Sequence, residues 1–456
     1  MMGKEEGRIQ KEETIGSNLP AGWQMAAIGD ICSKPQYGYT TKAAKEGDLH
    51  LLRTTDIASG IVDWDTVPYC SVNPEDKEKY RLEDGDIVIS RAGSVGVSYL
   101  VRKPEGSVFA SYLIRFIAYS DKRYLKYFLE GPLYWEKISE NRMGIAVPNV
   151  NANKLKSIFI PIPPEKEQHR IVAKIEELFS ELDKGIESLK TAREQLKVYR
   201  QAVLKHAFEG KLTAQWPKSP WLRTTLGEKL SFLTSGSRGW ARYYAEQGDI
   251  FIRAQNLKHD FLDLQDVAFV KLPGKSEGMR TRVQAGDLLI TLTGANVTKT
   301  AFVKSDIGTA FVSQHVALVR PSEDCYTDFL YWYLVAEAEG RKQLNKMAYG
   351  AGKPGLNLDN IRSVEISLPC ITEQKEIVSI INAMLTIQEN LTSDIEGQIH
   401  KAETLRQSIL KKAFSGQLVE QDPSDEPASV LLERIRAEKV QQVPRKKATK
   451  RKAATG

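Results

Sequence analysis

The chain has 456 residues, a length that accommodates two or more domains, each large enough to bury its own core. No apolar run approaches the roughly 18 residues that a membrane-spanning helix requires, and the polar start Lys4–Arg8 is unlike a secretory signal. The formal net charge is +6, but residues 444–456 alone hold six basic and no acidic side chains. The remainder of the chain is neutral, so net charge gives no argument for nucleic-acid binding by a folded domain. We expect a cytoplasmic protein without membrane contacts.

The four cysteines lie far apart in the sequence, and none belongs to a C-x-x-C motif. This spacing argues against a zinc site built from cysteines. We expect reduced thiols in the core at Cys32, Cys70, Cys325 and Cys370. The sequence also lacks G-x-x-x-x-G-K-[ST] and H-E-x-x-H motifs, so neither a catalytic site nor a metal site is predicted.

The first globular domain is predicted at residues 19–162, after a polar N-terminal extension at 1–18. Its short β-branched runs, such as 86–90 and 113–117, are bounded by glycine and aspartate, which is typical of strands. The aromatic segment 124–129 is predicted to be a helix with a buried aromatic face. Short strands together with helices predict the α+β fold class.

A long helix is predicted within residues 163–212. Between Pro164 and Glu209 there is no further proline, and apolar residues recur at heptad spacing. Pro163 and Pro164 mark the start of this helix, and Gly210 marks its end. One predicted seam consists of Ile175, Leu182, Leu189, Leu196 and Val203, and the other of Ile171, Leu178, Gly185, Ala192 and Tyr199.

The second half of the chain repeats this plan. The segment Ala202–Leu212 recurs as Ser408–Leu418, and Glu167-Gln168 recurs as Glu373-Gln374 at the same offset. A second α+β domain is predicted at 213–369, with an aromatic helix at 329–334, and a second long helix at 370–418. Its seams are Ile381, Ile395, Ala402 and Ile409, and Ile377, Met384, Leu391 and Leu405, with Gln388 and Gln398 at core-type positions.

This pseudo-two-fold internal repeat predicts how the helices are used. A helix of about 45 residues would be about 68 Å long, and its apolar seam needs a partner. The other copy can supply it, which would give an antiparallel coiled-coil spacer that holds the domains apart. In the alternative, each helix folds back on its own domain. Residues 419–456 are predicted to form a C-terminal segment with a disordered basic tail, which is either solvated or in contact with DNA phosphates.

Several segments together resemble one known family. They are Leu19–Trp23, Ile160–Pro164 followed by Glu167-Gln168, Arg200–Leu204 with Ala207–Leu212, and the second copies of the helix motifs. Over roughly residues 19–440 the chain resembles the specificity subunit of Type I restriction-modification enzymes. The resemblance implies two target recognition domains, each reading one half of a bipartite DNA target. It also implies that the helices set the gap between the half-sites and dock the modification subunits. One departure, Leu368-Pro369-Cys370 in place of Ile162-Pro163-Pro164, leaves the start of the second helix open.

The resemblance also implies the partners and cofactors. These are double-stranded DNA, two modification (methyltransferase) subunits that bind S-adenosylmethionine and methylate adenine, and restriction or translocase subunits that use ATP and Mg²⁺. This chain is expected to bind no cofactor and to catalyse no reaction. Because its halves are related but not identical, the DNA target should be asymmetric.

Candidate DNA contacts lie in glycine-containing loops, where variable side chains project from a fixed scaffold. Base edges are read by bidentate side chains, and phosphates are bound by cations, hydroxyls and backbone amides. The candidates in the first domain are Tyr37, Tyr39, Thr41, Lys42, Arg91, Ser94, Asn141 and Arg142. Those in the second domain are Ser235, Ser237, Arg238, Arg242, Tyr243, Thr293, Asn296, Lys346 and Lys353. Arg53 and Arg253 occupy equivalent positions, which favours a framework role or a shared phosphate contact.

Two other classes of function are compatible with the sequence. A coiled-coil adaptor whose domains bind proteins would show no salt-dependent affinity for duplex DNA. An enzyme with an unrecognised cleft site would show turnover as the purified chain.

Overall fold

A computed structural model describes residues 19–104, 106–140, 150–216, 220–274, 278–348 and 354–442. These residues fall into two compact units. Unit 1 consists of the described residues up to 187 and from 398 onward, and unit 2 of those from 188 to 397. The predicted extension at 1–18 and the basic tail lie outside the described residues. No helix in the described ranges is long and apolar enough to cross a membrane.

Unit 1 opens with an α+β domain. Its strands are β1 (Gln24–Ala27), β2 (Gln36–Tyr37), β3 (Leu49–Leu52), β4 (Tyr69–Cys70), β5 (Ile87–Ser90), β6 (Ser98–Leu100), β7 (Ser107–Phe109), β8 (Leu113–Phe116) and β9 (Phe159–Ile162). Its helices are α1 (Ile28–Ile31), α2 (Pro74–Tyr80), α3 (Lys122–Phe128), α4 (Pro132–Glu140) and α5 (Ala152–Lys156), and the long helix α6 (Glu165–Phe208) follows. The predicted strands near 87 and 113 and the helix near 124 are confirmed.

Unit 2 contains a second α+β domain. Its strands are β10 (Leu222–Thr225), β11 (Leu230–Ser235), β12 (Tyr244–Ala245), β13 (Asp249–Ile252), β14 (Ala268–Val270), β15 (Leu288–Thr291), β16 (Thr300–Phe302), β17 (Ala310–Val312), β18 (Val316–Pro321) and β19 (Glu365–Leu368). Its helices are α7 (Thr327–Val335), α8 (Gly340–Met347) and α9 (Leu358–Arg362), followed by the long helix α10 (Ile371–Ala413) and, in unit 1, α11 (Ala428–Gln442). The aromatic helix predicted at 329–334 lies within α7, and its aromatic rings are buried.

The two domains share one sheet topology, except that the second sheet of unit 2 has one additional strand, β12. In unit 1, β1 pairs antiparallel with β9, a four-stranded sheet has the order β2-β8-β5-β6, and a smaller sheet has the order β4-β3-β7. In unit 2, β10 pairs antiparallel with β19, and the sheets have the orders β11-β18-β15-β16 and β12-β14-β13-β17. The parallel pair β3/β7 recurs as β13/β17. The predicted internal repeat is therefore confirmed at the level of topology.

A buried ion pair recurs in both four-stranded sheets. Asp86, just before β5, lies 3.2 Å from Arg115 of β8, and Asp287, just before β15, lies 2.7 Å from Arg320 of β18. Each carboxylate also accepts a backbone N–H, from Glu83 in unit 1 at 3.0 Å and from Gln284 in unit 2 at 2.7 Å. Burial raises the pKa of Asp86, and the Arg115 guanidinium opposes that shift. The repeated Gly-Asp sequences are therefore framework, because they tie the inner strand of each sheet to its neighbour.

The long helices begin and end at equivalent positions. Both begin two residues after a repeated proline, so the departure at Cys370 does not displace the start of α10. Beyond their ends, Gly210 and Gly416 adopt positive φ angles of 68° and 71°. The N–H of Lys211 then returns to the carbonyl of His206 at 3.0 Å, which satisfies an otherwise unpaired helix carbonyl. The predicted stop at Gly210 is confirmed, and Gly416 follows the second long helix in the same conformation.

The two long helices pair antiparallel. In unit 1, Ile175 and Phe179 from the first half of α6 share a core with Ile409 and Leu410 from the end of α10. In unit 2, side chains from the end of α6 share a core with side chains from the start of α10; they include Val203, Leu204, Ile377 and Ile381. The alternative in which each helix folds back only on its own domain is therefore wrong.

One of the two predicted seams is only partly correct. In the middle of α6, the half-buried apolar residues are Leu182, Ile186, Leu189, Ala192 and Leu196, so Ala192 of the second predicted seam is confirmed, whereas its Gly185 and Tyr199 are exposed. In α10, Leu391, Leu405 and Gln398 are likewise exposed, while Gln388 is half-buried and donates to Thr392 at 3.1 Å. Positions three and four residues along a helix flank the same face, so spacing alone does not choose between them. Ile171 and Ile377 belong to the second predicted seam because they are apolar at heptad spacing. Their side chains are buried in the domain cores.

A Trp–Glu hydrogen bond recurs at the start of each long helix. The indole of Trp23 donates to Glu167 at 3.0 Å, and that of Trp221 donates to Glu373 at 3.3 Å. The segment that follows the other helix also reaches these carboxylates: Gln421 donates to Glu167 and Thr213 donates to Glu373. The repeated tryptophans and glutamates are therefore structural. Burial raises the pKa of Glu167, and its hydrogen bonds from Gln421 and Trp23 oppose that shift.

The segment after α10 completes unit 1. The buried carboxylate of Asp425 pairs with Arg170 at 2.7 Å, and the ammonium of Lys439 in α11 donates to the carbonyls of Gly29 and Asp30. Leu431, Leu432 and Ile435 of α11 belong to the unit 1 core; their side chains are buried.

The cysteine prediction is confirmed at three positions and wrong at one. Cys32, Cys70 and Cys325 are buried free thiols, whereas Cys370 is exposed. Cys370 lies directly before α10, where the chain turns from β19 into the helix, and not on a core-facing strand or helix position.

We predict that Asp287→Ala lowers the thermal midpoint of unfolding by about 6–12 °C, because Arg320 would lose its buried partner, at a cost of roughly 3 kcal/mol. The control is Asp306→Ala. The Asp306 carboxylate is exposed and accepts the Gly308 N–H at 2.9 Å, so its removal breaks no buried ion pair. Thermal unfolding followed by circular dichroism measures both. Equal midpoints for the two variants would contradict a framework role for Asp287.

Candidate nucleic-acid interface

The sheet topology brings several candidate loops to one edge of each four-stranded sheet. In unit 1, β2 and β5 both run antiparallel to β8, so the loops after β2 and β5 leave at the edge where β8 begins. In unit 2, β11 and β15 both run antiparallel to β18, so the equivalent loops meet where β18 begins. We call this edge the loop edge of each unit. It consists of residues 37–42, 91–96 and 110–112 in unit 1, and of residues 235–243, 292–297 and 313–315 in unit 2.

A glycine sets the path of the first loop in both units. A Cβ on Gly38 would lie 2.2 Å from the carbonyl oxygen of Ala110, and one on Gly236 would lie 2.1 Å from that of Val312. Only glycine permits so close an approach between two backbones. The backbone of the first loop therefore follows the same path in both units, while the side chains after the glycine can differ.

Tyr37 and Arg91 meet at the loop edge of unit 1. The Arg91 guanidinium lies 5.0 Å from the ring centroid of the exposed Tyr37, and the Tyr37 hydroxyl accepts the N–H of Ala152 at 3.1 Å. The Nε of Arg91 is buried and has no hydrogen-bond partner in the described structure. The pair therefore presents a cation and an aromatic hydroxyl side by side, a combination that can contact bases and phosphates.

The other unit 1 candidates are spread around this pair. The Tyr39 ring is half-buried 5.1 Å from Tyr80, so its packing contributes to the domain core. Thr41 is half-buried, while Lys42 and Ser94 are exposed at the loop edge. Asn141 and Arg142, like Lys353 of the second domain, lie outside the described residues.

The candidates after β11 occupy a loop anchored by a buried tryptophan. Ser235 ends β11, Ser237 accepts a hydrogen bond from Arg280 at 3.4 Å, and Arg238 is exposed. Trp240 is buried in the next turn and holds it against the core. The exposed Arg242 lies over the Tyr243 ring at 4.7 Å.

The remaining unit 2 candidates differ in position. Thr293 pairs its hydroxyl with His315 Nδ1 at 2.6 Å, and Asn296 donates to the carbonyl of Ala254 at 3.2 Å. Both lie in the turn after β15, at the loop edge. Lys346 is exposed on α8, outside the loop edge as defined above.

The equivalent arginines Arg53 and Arg253 have different partners. Arg53 donates from Nε and Nη2 to both carboxylate oxygens of Asp56, at 3.0 and 2.7 Å, and this pairing raises the pKa of Arg53. In unit 2 the partner position is Asn256, whose side chain accepts the Arg253 backbone N–H at 2.9 Å, as Asp56 accepts that of Arg53 at 2.8 Å, but no guanidinium bond to Asn256 is found. The two residues therefore share a framework position but not a charge partner.

Two exposed side chains at the loop edge were missed by sequence reasoning. Tyr112, which is 60% exposed, precedes β8, and His315 precedes β18. Neither residue stands out in the sequence. Their positions become informative only once the strand order shows that both strands begin beside the candidate loops. Among the described residues, no group of three or more histidine, cysteine, aspartate or glutamate side chains could hold a metal ion.

The chain is similar to proteins of one family. A family model for the Type I restriction modification DNA specificity domain matches residues 20–193 and 245–401. The specificity subunit of the Type I restriction enzyme EcoKI from Escherichia coli strain K12 is 27% identical over 455 residues, covering 92% of this chain and 96% of that one. The StySPI specificity subunit from Salmonella potsdam is 27% identical over 467 residues, covering 96% and 99%.

Solved structures are similar in fold. A chain from a structure of the type I R-M system, solved to explain its assembly and conformational transition, has a TM-score of 0.67 at 18% identity and covers 88% of this chain and 99% of its own length. The HsdS subunit from Thermoanaerobacter tengcongensis has a TM-score of 0.53 at 21% identity, covering 88% of this chain and 98% of that one.

Proposed function

The chain belongs to the Type I restriction modification DNA specificity domain family, and we propose that each of its two units reads one half of a bipartite, asymmetric DNA target. Proteins of this kind recognise DNA sequence and are not the catalytic subunits of their systems, so the chain is a specificity subunit and not an enzyme. The finer assignment of one half-site to each unit rests on the repeat described above.

The observation that carries the proposal is a shared framework with different side chains at the loop edge. Glycines, buried ion pairs and strand order are the same in both units, whereas Tyr37 and Arg91 in unit 1 correspond to Ser235 and Leu292 in unit 2. The backbone N–H of Arg91 binds the Tyr112 carbonyl, as that of Leu292 binds the His315 carbonyl, which supports the correspondence. One scaffold that carries two sets of side chains is suited to reading two different sequences.

We infer that the long helices set the gap between half-sites and dock the two modification subunits. Apolar side chains are exposed along both helices in unit 2: Val198 and Tyr199 on α6, and Ile387 and Leu391 on α10. Val198 is 71% and Ile387 60% exposed. Ile387 and Leu391 are four residues apart and therefore share one face of α10, and exposed apolar residues that adjoin one another are typical of protein contacts. In this proposal the modification subunits supply S-adenosylmethionine chemistry, and the restriction subunits supply ATP- and Mg²⁺-dependent chemistry.

We predict that Arg91→Ala weakens binding to the cognate duplex about 10- to 100-fold, as expected for the loss of a base contact worth about 1–3 kcal/mol. Arg102→Ala is the control, because the Arg102 side chain is 54% exposed and pairs only loosely with Asp84, at 3.5 Å. Duplex binding is measured with the chain assembled with its modification subunits. Equal affinities for the two variants, with both chains folded, would remove Arg91 from the interface.

Exchange of residues 20–160 for the same domain of a relative tests whether the units read independently. We expect the half-site read by unit 1 to change and the half-site read by unit 2 to stay the same, because the exchange leaves unit 2 unaltered. Methylation mapping at single-base resolution measures this. A change in both half-sites would contradict independent reading.

Insertion of one heptad into the middle of both α6 and α10 tests the spacer. Seven helical residues add about 10 Å, or roughly 3 base pairs, so the gap should lengthen while both half-sites stay the same. Insertion into one helix alone is the control, and it should abolish activity because the paired seam loses register. An unchanged gap after the double insertion would mean that the helices do not set it.

A further inference from the structure

A cavity of about 350 Å³ lies at the loop edge of unit 2. Its wall combines the aromatic residues Trp240, Tyr244 and Phe251 with the polar residues Arg253, Ser313 and His315. The cavity joins the turn after β11 to the residues that precede β18. No acidic residue is among the described residues that line it. Its volume is within the range of small-ligand sites in proteins.

Three of the lining residues carry a buried polar atom without a hydrogen-bond partner in the described structure. These atoms are the indole Nε1 of Trp240, the Nε of Arg253 and the hydroxyl of Ser313. Trp240 is 3% exposed and Ser313 is 5% exposed. Buried polar groups are nearly always hydrogen-bonded. Three unpaired polar atoms on residues that line one cavity therefore indicate a missing hydrogen-bond partner.

The chemistry of these atoms defines that partner. The indole N–H and the guanidinium N–H can only donate, and a serine hydroxyl can donate or accept. Their common complement is therefore a group that carries hydrogen-bond acceptors. The positive charge of Arg253 and the lack of carboxylates in the wall favour an acceptor that is electron-rich or anionic.

Comparison with unit 1 shows why the Nε of Arg253 has no partner among the described residues. At the equivalent position, Arg53 is held by two hydrogen bonds from its guanidinium to the Asp56 carboxylate. Asn256 replaces that carboxylate in unit 2, where Nη2 of Arg253 donates to the Asp266 carbonyl at 3.4 Å and lies 3.9 Å from the Asp266 carboxylate, whose side chain is 81% exposed. The same framework arginine is held by two hydrogen bonds to a carboxylate in unit 1, whereas in unit 2 its Nε has no partner among the described residues.

We propose that this cavity receives a hydrogen-bond acceptor of the DNA target, contacted by Trp240, Arg253 and Ser313. Two parts of a duplex supply such acceptors: the base edges, among which guanine presents O6 and N7 together in the major groove, and the phosphate oxygens. The inference rests on the proposed function of unit 2 as a DNA reader, and it adds the residues and the chemistry of one contact.

Ser313→Ala separates a ligand contact from a structural role. Because the Ser313 hydroxyl has no hydrogen-bond partner among the described residues, its removal should leave the thermal midpoint unchanged or raise it. Binding to the cognate duplex should nevertheless weaken, by about 3- to 10-fold. The control is Ser231→Ala, whose exposed hydroxyl donates to Arg320 and Pro321 carbonyls at the opposite end of β11. This control should bind the duplex as the original chain does.

Arg253→Met separates the two sources of the acceptor, because methionine keeps the apolar stem and removes the guanidinium. If the contact is a guanine, discrimination at one base pair of the unit 2 half-site should fall about 10- to 100-fold. If it is a phosphate, all sequences should be bound more weakly and the salt dependence should decrease by about one charge. Both variants are tested as the full chain with its modification subunits, on the target found by methylation mapping of the unaltered chain.

The outcomes distinguish this inference from the proposed function. Loss of affinity or discrimination with Ser313→Ala and Arg253→Met, at an unchanged thermal midpoint, supports the cavity as a DNA contact. If both variants bind and discriminate like the original chain, water alone fills the cavity and the inference is overturned. If the original chain itself selects no DNA sequence, the proposed function fails first.

Discussion

The sharing of both long helices between the two units is the constraint on which the rest of the structure depends. The first half of α6 and the end of α10 are core elements of unit 1, and the complementary halves are core elements of unit 2. Neither unit can complete its core without both helices. The Trp–Glu hydrogen bonds at the helix starts reinforce this arrangement, because each glutamate also binds a residue from the segment that follows the other helix.

Duplication allows the framework and the variable surface to be told apart within one chain. The paired Asp–Arg bridges and the glycines before each loop are kept in both units because buried charges and close backbone contacts tolerate few alternatives. The loop edges differ where side chains leave the scaffold. Arg53 and Arg253 lie between these two classes, since one position serves the framework in unit 1 and provides an unpartnered donor in unit 2.

The architecture was predictable from the sequence because a 206-residue repeat and heptad spacing leave few alternatives. The second helical seam was not, since Gly185 and Ile186 flank the same helix face and only packing selects one of them. The loop edge was partly predictable: glycine loops pointed to Tyr37 and Arg91, but Tyr112 and His315 required the strand order. The exposure of Cys370 and the unpartnered hydroxyl of Ser313 depend on tertiary packing, which carries no local sequence signal.

We propose that the two units together direct the modification of one split DNA sequence. The most direct test maps adenine methylation at single-base resolution in DNA from a host that expresses this chain together with its modification partner. We expect a split, asymmetric methylated motif that disappears when this chain is omitted. An unchanged pattern of methylation, in a host where the partner is demonstrably active with another specificity subunit, would contradict it.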